Sequence, residues 1–222
     1  TGTVNSPVFA AAVFNPFGLT DVSYSASPSF VDIDNDGDLD AFVGEFTGSI
    51  FFSRNIGTTS NPVFAAATIN PFGLIDVGDF VSPVFVDIDN DGDLDAFVGG
   101  YQGNTLFFRN TGTASNPVFA TASTNPFGLT DVGIAASPSF VDIDGDGDLD
   151  ALIGNSVGNT LFFRNNGTVS NPVFAAASTN PFGLSKVGYS ASPAFVDIDA
   201  DGDLDAFVGE FSGNTRYFVN NG

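Results

Sequence analysis

Alternating aspartates along a short stretch, which occurs four times in the chain, could bind a metal ion. The first copy, VDIDNDGDLDAFVG, spans residues 31–44 and carries five carboxylates within nine residues. Ca²⁺ binds about six to eight oxygen atoms, and alternate side chains of a tightly curled loop can converge on one ion. Gly37, after the third aspartate, allows a sharp turn where a side chain would clash. The spacing therefore predicts a calcium loop.

The loop returns at a constant spacing of 55 residues, so four calcium ions are predicted, at 32–40, 87–95, 142–150 and 197–205. In each loop we expect the first, second, third and fifth aspartates to bind through side chains and the fourth through its carbonyl. The predicted metal ligands are Asp32, Asp34, Asp36, Asp38, Asp40, Asp87, Asp89, Asp91, Asp93, Asp95, Asp142, Asp144, Asp146, Asp148, Asp150, Asp197, Asp199, Asp201, Asp203 and Asp205.

Two other interpretations of this loop fit less well. A solvated acidic turn would explain one such stretch, because Asp and Gly are common turn residues. Without a cation, however, each pair of charges about 5 Å apart costs on the order of 3 kcal/mol at an effective dielectric near 20. An EF-hand needs a bidentate Glu at its twelfth position, where the first copy has Val43. The loop is therefore predicted to continue into a strand.

Most of the charge of the chain lies in these loops. The 222 residues include 26 acidic and five basic residues, for a net charge of −21, with no Cys and no His. This excess argues against nucleic acid or an anionic membrane as a partner, and no apolar run is long enough for membrane insertion. An enzyme is not expected, because His and Cys are absent and most carboxylates are committed to metal. Asp-rich calcium loops suit a calcium-rich compartment, which predicts an extracellular or cell-surface location.

Short β-strands must position the loops. Within the first period, strands are predicted at 29–33, 40–46, 50–54 and 62–67, where β-branched and aromatic residues are bounded by Gly, Asn and Pro. No segment shows a sustained helical period. Four antiparallel strands per repeat are typical of a propeller blade, whereas a solenoid would need shorter repeats and capping units. We therefore predict one all-β propeller of four blades over residues 1–222.

The chain begins in the fourth strand of one predicted blade and ends in the third strand of another. We expect the N-terminal strand, residues 7–12, to complete the fourth blade and close the ring, which would remove exposed edges. The same strand could instead complete a blade of a neighbouring copy and build a fibre. A four-bladed ring, an eight-bladed ring shared by two chains and a part of a longer array are the alternatives.

The repeat resembles the FG-GAP or VCBS repeat of integrin-type β-propellers and bacterial surface proteins. The matching parts are a Phe-Gly pair, first at Phe17-Gly18, the D-x-D-x-D-G-x-x-D loop, and the apolar strand that ends in Gly. The resemblance implies calcium in the hairpin between the first two strands of each blade. The number of repeats departs from the family, which is best known as a seven-bladed ring.

Other repeated residues are expected to be structural. The phenylalanines are predicted to pack between blades, and Asn-Pro-Phe-Gly is predicted to form a turn before each crossing. Arg54, Arg109 and Arg164 recur at the end of the third strand, where the fourth copy has Val219. We expect these arginines to form structural ion pairs.

The predicted function is a calcium-stabilised structural or adhesive module that associates with itself or with other surface proteins. The alternative is a lectin-like propeller that binds a carbohydrate or a protein on the face opposite the calcium loops. The repeats differ most on that face, at the turn between the second and third strands, where aromatic and polar groups could bind a sugar. The predicted ligand residues are Glu45, Phe46, Tyr101, Gln102, Asn155, Glu210 and Phe211.

Overall fold

The fold is the predicted all-β propeller of four blades. The computed structural model describes residues 10–222, in which every sheet is antiparallel and each strand pairs with its neighbour in sequence. Three sheets have four strands, and the last sheet has three strands among the described residues. Within the same residues, no helix is long and apolar enough to cross a membrane.

Each blade is built from five-residue inner strands and shorter outer strands. The first blade contains β1 (Ser27–Val31), β2 (Asp40–Gly44), β3 (Ile50–Ser53) and β4 (Thr68–Ile69). The second contains β5 (Ser82–Val86), β6 (Asp95–Gly99), β7 (Thr105–Phe108) and β8 (Ser123–Thr124). The third contains β9 (Ser137–Val141), β10 (Asp150–Gly154), β11 (Thr160–Phe163) and β12 (Ser178–Thr179). The fourth contains β13 (Ser192–Val196), β14 (Asp205–Gly209) and β15 (Thr215–Phe218).

The fourth strand of each complete blade is shorter and later than the sequence pattern predicts. The prediction at 62–67 is wrong, because the outer strand is β4, whose Thr68 and Ile69 pair with β3. Pro62 has no N–H to contribute to a ladder, and the Val63 N–H is bound instead by the Asn55 Oδ1, at 3.0 Å.

The same shift applies to the strand that is predicted to close the ring. In the first repeat, the residues that correspond to β4 are 13–14 rather than 7–12. Residues 7–9 of the predicted closing strand lie outside the described residues. Its pairing with the fourth blade therefore stays a prediction.

Phenylalanine rings pack between neighbouring blades, as predicted. The Phe42 ring of β2 lies 4.2 Å, centroid to centroid, from Phe85 of the second blade. Phe97 of β6 lies 4.3 Å from Phe140 of the third blade in the same way. Phe42 and Phe97 are fully buried. The core therefore lies between sheets, and it fixes the position of the loops at the strand ends.

Asn-Pro-Phe-Gly forms a tight turn at each crossing, as predicted, with 3₁₀ geometry at Pro16–Gly18, Pro71–Gly73 and Pro126–Gly128. In the second copy, Asn70 (φ 49°) and Phe72 (φ 59°) both adopt left-handed conformations. Asn adopts this region at little energetic cost, whereas the bulky side chain of Phe makes the same conformation strained. The carbonyl of Phe72 accepts the N–H of Phe119 at 2.8 Å, so the next blade holds the strained residue in place.

The inner strands of all four blades begin around one central cavity of about 590 Å³. Serine occupies the same position in each copy, and its four copies line the cavity, at Ser27, Ser82, Ser137 and Ser192. This cavity opens on the side of the turns between second and third strands, opposite the aspartate-rich loops. The two faces of the propeller therefore carry different chemistry.

Candidate metal centre

Each predicted calcium loop brings three carboxylates together between the first two strands of its blade. In every loop, one oxygen from each of the first three aspartates lies within 4.8 Å of the others. The four groups are Asp32, Asp34 and Asp36; Asp87, Asp89 and Asp91; Asp142, Asp144 and Asp146; and Asp197, Asp199 and Asp201. Four sites that could hold a metal ion are thus present, at the predicted positions.

Hydrogen bonds from the backbone curl the loop around its first aspartate. In the first copy, the two carboxylate oxygens of Asp32 accept the N–H groups of Asp36 (3.1 Å) and Gly37 (3.0 Å). Asn35 (φ 56°) and Gly37 (φ 95°) both adopt the left-handed conformation, which suits Asn and Gly better than other residues. The glycine is thus required by its backbone conformation, as the spacing predicts.

The fifth aspartate enters the site from the start of the second strand. Asp40 is 1% exposed, and its Oδ1 accepts the N–H of Asn55 at 2.6 Å. Its Oδ2 is buried and has no hydrogen-bond partner among the described residues, and the same holds for Asp95 and Asp150. A buried carboxylate oxygen without a partner is costly. A cation at the site would satisfy it.

The fourth aspartate of the loop also points an oxygen inward. In the first three loops, its Oδ1 is buried without a hydrogen-bond partner among the described residues, at Asp38, Asp93 and Asp148. The sequence pattern predicts binding through the carbonyl of this residue, so its side chain is an additional donor. The resulting donor set consists only of oxygens, as hard cations such as Ca²⁺ prefer.

Burial disfavours the charged form of the fifth aspartate. It raises the pKa of Asp40 to about 6, that of Asp95 to about 7 and that of Asp150 to about 6. The backbone N–H that each carboxylate accepts opposes this shift, and neighbouring loop carboxylates add to it. A bound divalent cation would act in the opposite direction and favour the carboxylate.

An arginine from the end of the third strand reaches the loop in the first three blades. The Nη2 of Arg54 lies 2.5 Å from Asp34 Oδ2 and 3.1 Å from Asp36 Oδ2. Arg109 pairs with Asp89, and Arg164 pairs with Asp144 at 2.6 Å. The predicted structural ion pairs are therefore confirmed.

Asparagines that hold the fifth aspartate are not predicted by the loop pattern. They follow the third strand at the same spacing in each repeat, at Asn55, Asn110, Asn165 and Asn220. Each donates its backbone N–H to the Oδ1 of its aspartate. Their recurrence is the only sequence signal, since a backbone donor could be any residue type.

On the opposite face, the predicted ligand residues separate into two groups. Glu45 and Asn155 are buried, and their side-chain oxygens accept backbone N–H groups of their own turns. Glu210 accepts a hydrogen bond from Asn214 within its turn. These side chains maintain turns, so the sequence pattern does not distinguish a turn role from a ligand role.

Phe80, which is not among the predicted ligand residues, contacts two aromatic residues of the same face. Its ring lies 4.7 Å from Phe46, edge to face, and 5.6 Å from Tyr101, stacked. Phe211 is highly exposed and Gln102 is also exposed, both outside this row. Phe80 replaces Ser or Ala of the other copies, and that difference is the signal by which it could be found.

Comparison with models of protein families identifies the family to which these repeats belong. The FG-GAP-like repeat matches residues 32–98, 87–153 and 142–208. The chain belongs to the FG-GAP-like repeat family. Each FG-GAP-like match begins at the first aspartate of one loop and ends in the second strand of the next blade. The unit of the family therefore includes two loops and the junction between their blades.

Other comparisons add no closer relationship for this FG-GAP-like chain. A search of curated proteins finds no match. Among solved structures, the chain is similar to the Tc holotoxin pore of Photorhabdus luminescens, with 14% sequence identity and a TM-score of 0.48. The similarity covers 88% of this chain and 9% of that chain, so the present sequence spans a small part of the toxin subunit.

Proposed function

We propose that this FG-GAP-like propeller is a calcium-stabilised extracellular module with a structural or adhesive role rather than a catalytic one. The observation that carries the proposal is the buried oxygen of Asp40, Asp95 and Asp150, which has no hydrogen-bond partner among the described residues and lies beside three of the four clusters of carboxylates. A divalent cation offers the charge and the coordination that these oxygens lack.

A cation in this position would connect three parts of one blade. The loop joins β1 to β2, and Asp40 at the start of β2 also holds the segment after β3 through the Asn55 N–H. Binding would therefore stabilise the hairpin and the outer strands together. Four nearly identical sites of this kind suit a rigid module, and their high carboxylate content suits calcium-rich surroundings outside the cell.

Thermal unfolding with and without calcium tests the proposal. Each site adds RT ln(1 + [Ca]/Kd), or about 2.7 kcal/mol at a hundredfold excess over Kd. Four sites would approach about 11 kcal/mol, comparable with the whole stability of a typical domain, about 5–15 kcal/mol. We expect EDTA to lower the Tm strongly and Ca²⁺ to restore it, with Mg²⁺ much less effective. An identical Tm in EDTA and in calcium contradicts the proposal.

A matched pair of variants separates site chemistry from general charge effects. Asp95→Asn removes one inward charge at nearly constant size and should reduce the calcium stoichiometry by one site in calorimetry. Asp79→Asn is the control, because Asp79 is exposed and lies outside the loops. If both variants bind as much calcium as the wild type, the second loop is not a calcium site.

A second candidate function is a carbohydrate-binding platform on the opposite face. The observation that favours it is the row formed by Phe46, Phe80 and Tyr101, at the side where the serine-lined cavity opens. Aromatic faces beside a few hydroxyl groups are typical of small-ligand sites. The row spans the first and second blades, so calcium at those loops would hold the platform rigid.

A glycan array tests this second candidate. The combined variant Phe46→Ala, Tyr101→Ala and Phe211→Ala should lose binding that the wild type shows. Ile56→Ala is the control, since it removes an exposed apolar side chain on the calcium side. If the triple variant binds glycans as well as the wild type does, or if Ile56→Ala alone loses binding, this face is not the platform.

A further inference from the structure

The three junctions between successive blades use one set of close backbone contacts. A glycine ends the second strand of each blade, and a Cβ at Gly44, Gly99 or Gly154 would overlap a carbonyl oxygen of the following blade. These oxygens belong to the crossing segments, at Val81, Ala136 and Ala191. Absence of a side chain at this position is therefore a requirement of the junction.

Hydrogen bonds and aromatic packing complete each junction. At the first junction, the N–H groups of Phe80 and Val81 bind the carbonyls of Phe46 (3.0 Å) and Glu45 (3.2 Å). The pattern recurs at the second and third junctions. Phe85 of the following blade is 6% exposed because it packs on the preceding sheet. The first junction thus combines a close approach of a carbonyl to a glycine, two backbone hydrogen bonds and a phenylalanine ring that packs on the preceding sheet.

Among residues 10–222, the corresponding surfaces of the first and the last blade have no neighbouring blade packed on them. At Gly209 of the last blade, the atoms nearest to a Cβ are those of Ser192 in the same blade, at 3.8 Å. At the first blade, Phe30 corresponds to Phe85 and is 47% exposed. Among residues 10–222, the N–H groups of Ser25 and Ala26, which correspond to Phe80 and Val81, donate no hydrogen bond. Within residues 10–222, the first blade therefore does not cover the last blade.

The outer edge of the last blade is also open within the described part of the chain. In complete blades, the fourth strand pairs there, and the asparagine after it accepts an N–H of the third strand, as Asn70 does from Ile50 at 2.8 Å. The corresponding residues of the first repeat, Val13 and Phe14, are 74% and 95% exposed. Among residues 10–222, an unpaired sheet edge and an exposed segment at the position of a fourth strand thus occur in the same molecule.

The two unpaired segments differ from the other repeats in a complementary way. Register in the first blade pairs Phe51 with Ile69, and the same register would place Phe14 opposite Arg216. The second and third blades have Thr opposite Leu at this pair of positions. A guanidinium over a phenylalanine face is a favourable cation–π pair. The exceptional residues at the two ends therefore suit each other.

We propose that these open surfaces bind each other between two copies of this chain. The first blade and residues 13–15 of one copy dock on the last blade of a second copy, as a further repeat would. The contact is heterologous, so it produces a closed ring or a head-to-tail filament. It deepens the structural role proposed above by naming the partner, and it rests on that role because the calcium loops brace the two docking blades.

The molecular mass of the calcium-loaded protein tests this docking. Sedimentation velocity should show a mass that rises above 22.9 kDa with protein concentration. The charge of −21 makes copies repel, so salt should promote association. Gly209→Ala should raise the concentration needed for association about tenfold or more, because its Cβ would overlap the docking carbonyl. Its Tm should not change, since the site is open in the single chain.

Two further variants control the result. Phe14→Ala removes an almost fully exposed ring and should weaken association without affecting folding. Ser123→Val adds bulk to the outer strand of the second blade, where the first repeat itself has Val13, and should associate like the wild type.

Two results would overturn the docking proposal. One is a mass of 22.9 kDa at every concentration, which means that the ends close within one chain. The other is wild-type association of both Gly209→Ala and Phe14→Ala. Failure of the calcium proposal is distinguishable, because a Tm that is indifferent to EDTA can accompany a mass that still rises with concentration.

Discussion

The fourth aspartate-rich loop differs from the first three although its aspartates have the same spacing. Arginines form ion pairs with carboxylates of the first three loops, whereas the fourth blade has Val219 at the arginine position. All three aspartates of its cluster are exposed. Tyr217 replaces a phenylalanine and donates its hydroxyl to the Oδ2 of Asp205 at 3.0 Å. Among the described residues, the Oδ2 of the fifth aspartate therefore has a hydrogen-bond partner in this blade alone.

Loops with and without an arginine differ in what offsets the repulsion between their carboxylates. An arginine supplies a permanent positive charge, which stabilises the loop before any metal binds and then competes with the metal. A loop without arginine relies on the cation alone, and higher ligand charge generally strengthens calcium binding. We therefore expect the fourth loop to depend most on calcium and to be the least stable without it.

Removal of metal by a chelator should produce the largest effect, because the four loops should then differ in local stability. In EDTA, amide hydrogen exchange should accelerate most at 197–205, because repulsion there is not offset by an arginine. The loop at 87–95, whose Arg109 pairs with Asp89, is the internal reference. Equal protection of the two loops, or earlier opening of the second, would contradict the comparison.

The pH dependence of the metal-free protein should show the next largest effect. Folding raises the pKa of Asp40, Asp95 and Asp150 to about 6, 7 and 6, from an unfolded value of about 3.9. A raised pKa contributes stability below the unfolded value, and this contribution is lost as pH rises through the folded value. In EDTA, the urea midpoint should therefore be higher near about pH 5 than near about pH 8.

Two controls accompany the pH experiment. Asp95→Asn should flatten the dependence, because it removes the group with the highest of these pKa values. Excess calcium should reverse it, because the metal needs deprotonated carboxylates. A metal-free protein that gains stability between the two pH values would show that the buried aspartates are not the controlling groups.

Exchange of the residues at the arginine position between the second and fourth loops should have a smaller effect on stability. Arg109→Val gives the second loop the residue of the fourth and should destabilise the metal-free protein by up to about 1 kcal/mol, as for a half-exposed ion pair. The stabilisation by calcium should increase. Val219→Arg should have the opposite effects on both quantities, measured by urea unfolding. Lys186→Gln, which removes a positive charge outside the loops, should change neither.

The smallest expected effect concerns the backbone of the fourth loop. Ala200 has φ 63°, where the first two loops have Asn35 and Asn90. Because Asn tolerates the left-handed conformation better than Ala, Ala200→Asn should stabilise the protein by about 1 kcal/mol or less. Asn90→Ala should destabilise it by a similar amount. Backbone strain is not a cause of the difference if Ala200→Asn fails to stabilise the protein and Asn90→Ala fails to destabilise it.

Features that depend on neighbouring residues could be predicted. The first three strands of each blade agree with the pattern within about two residues, a usual margin, and the loop geometry follows from alternating aspartates with Gly37. The fourth strand could not be placed, because an Ala-rich segment matches either register until β3 selects Thr68 and Ile69. The inward orientation of Glu45 was equally inaccessible, since it depends on a turn in which Thr47 and Ser49 donate hydrogen bonds.

The sequence by itself determined the number of repeats, the family and the donor chemistry of the candidate metal site. These properties reside in residue types and spacings within about a dozen positions, which tertiary packing does not alter. Only the tertiary structure decided that Asn55 holds Asp40, that Phe80 joins Phe46 to Tyr101, and that, among residues 10–222, no crossing segment packs against Gly209. Each of these depends on which strands become neighbours in space. That choice results from the packing of one sheet on the next, which no single repeat encodes.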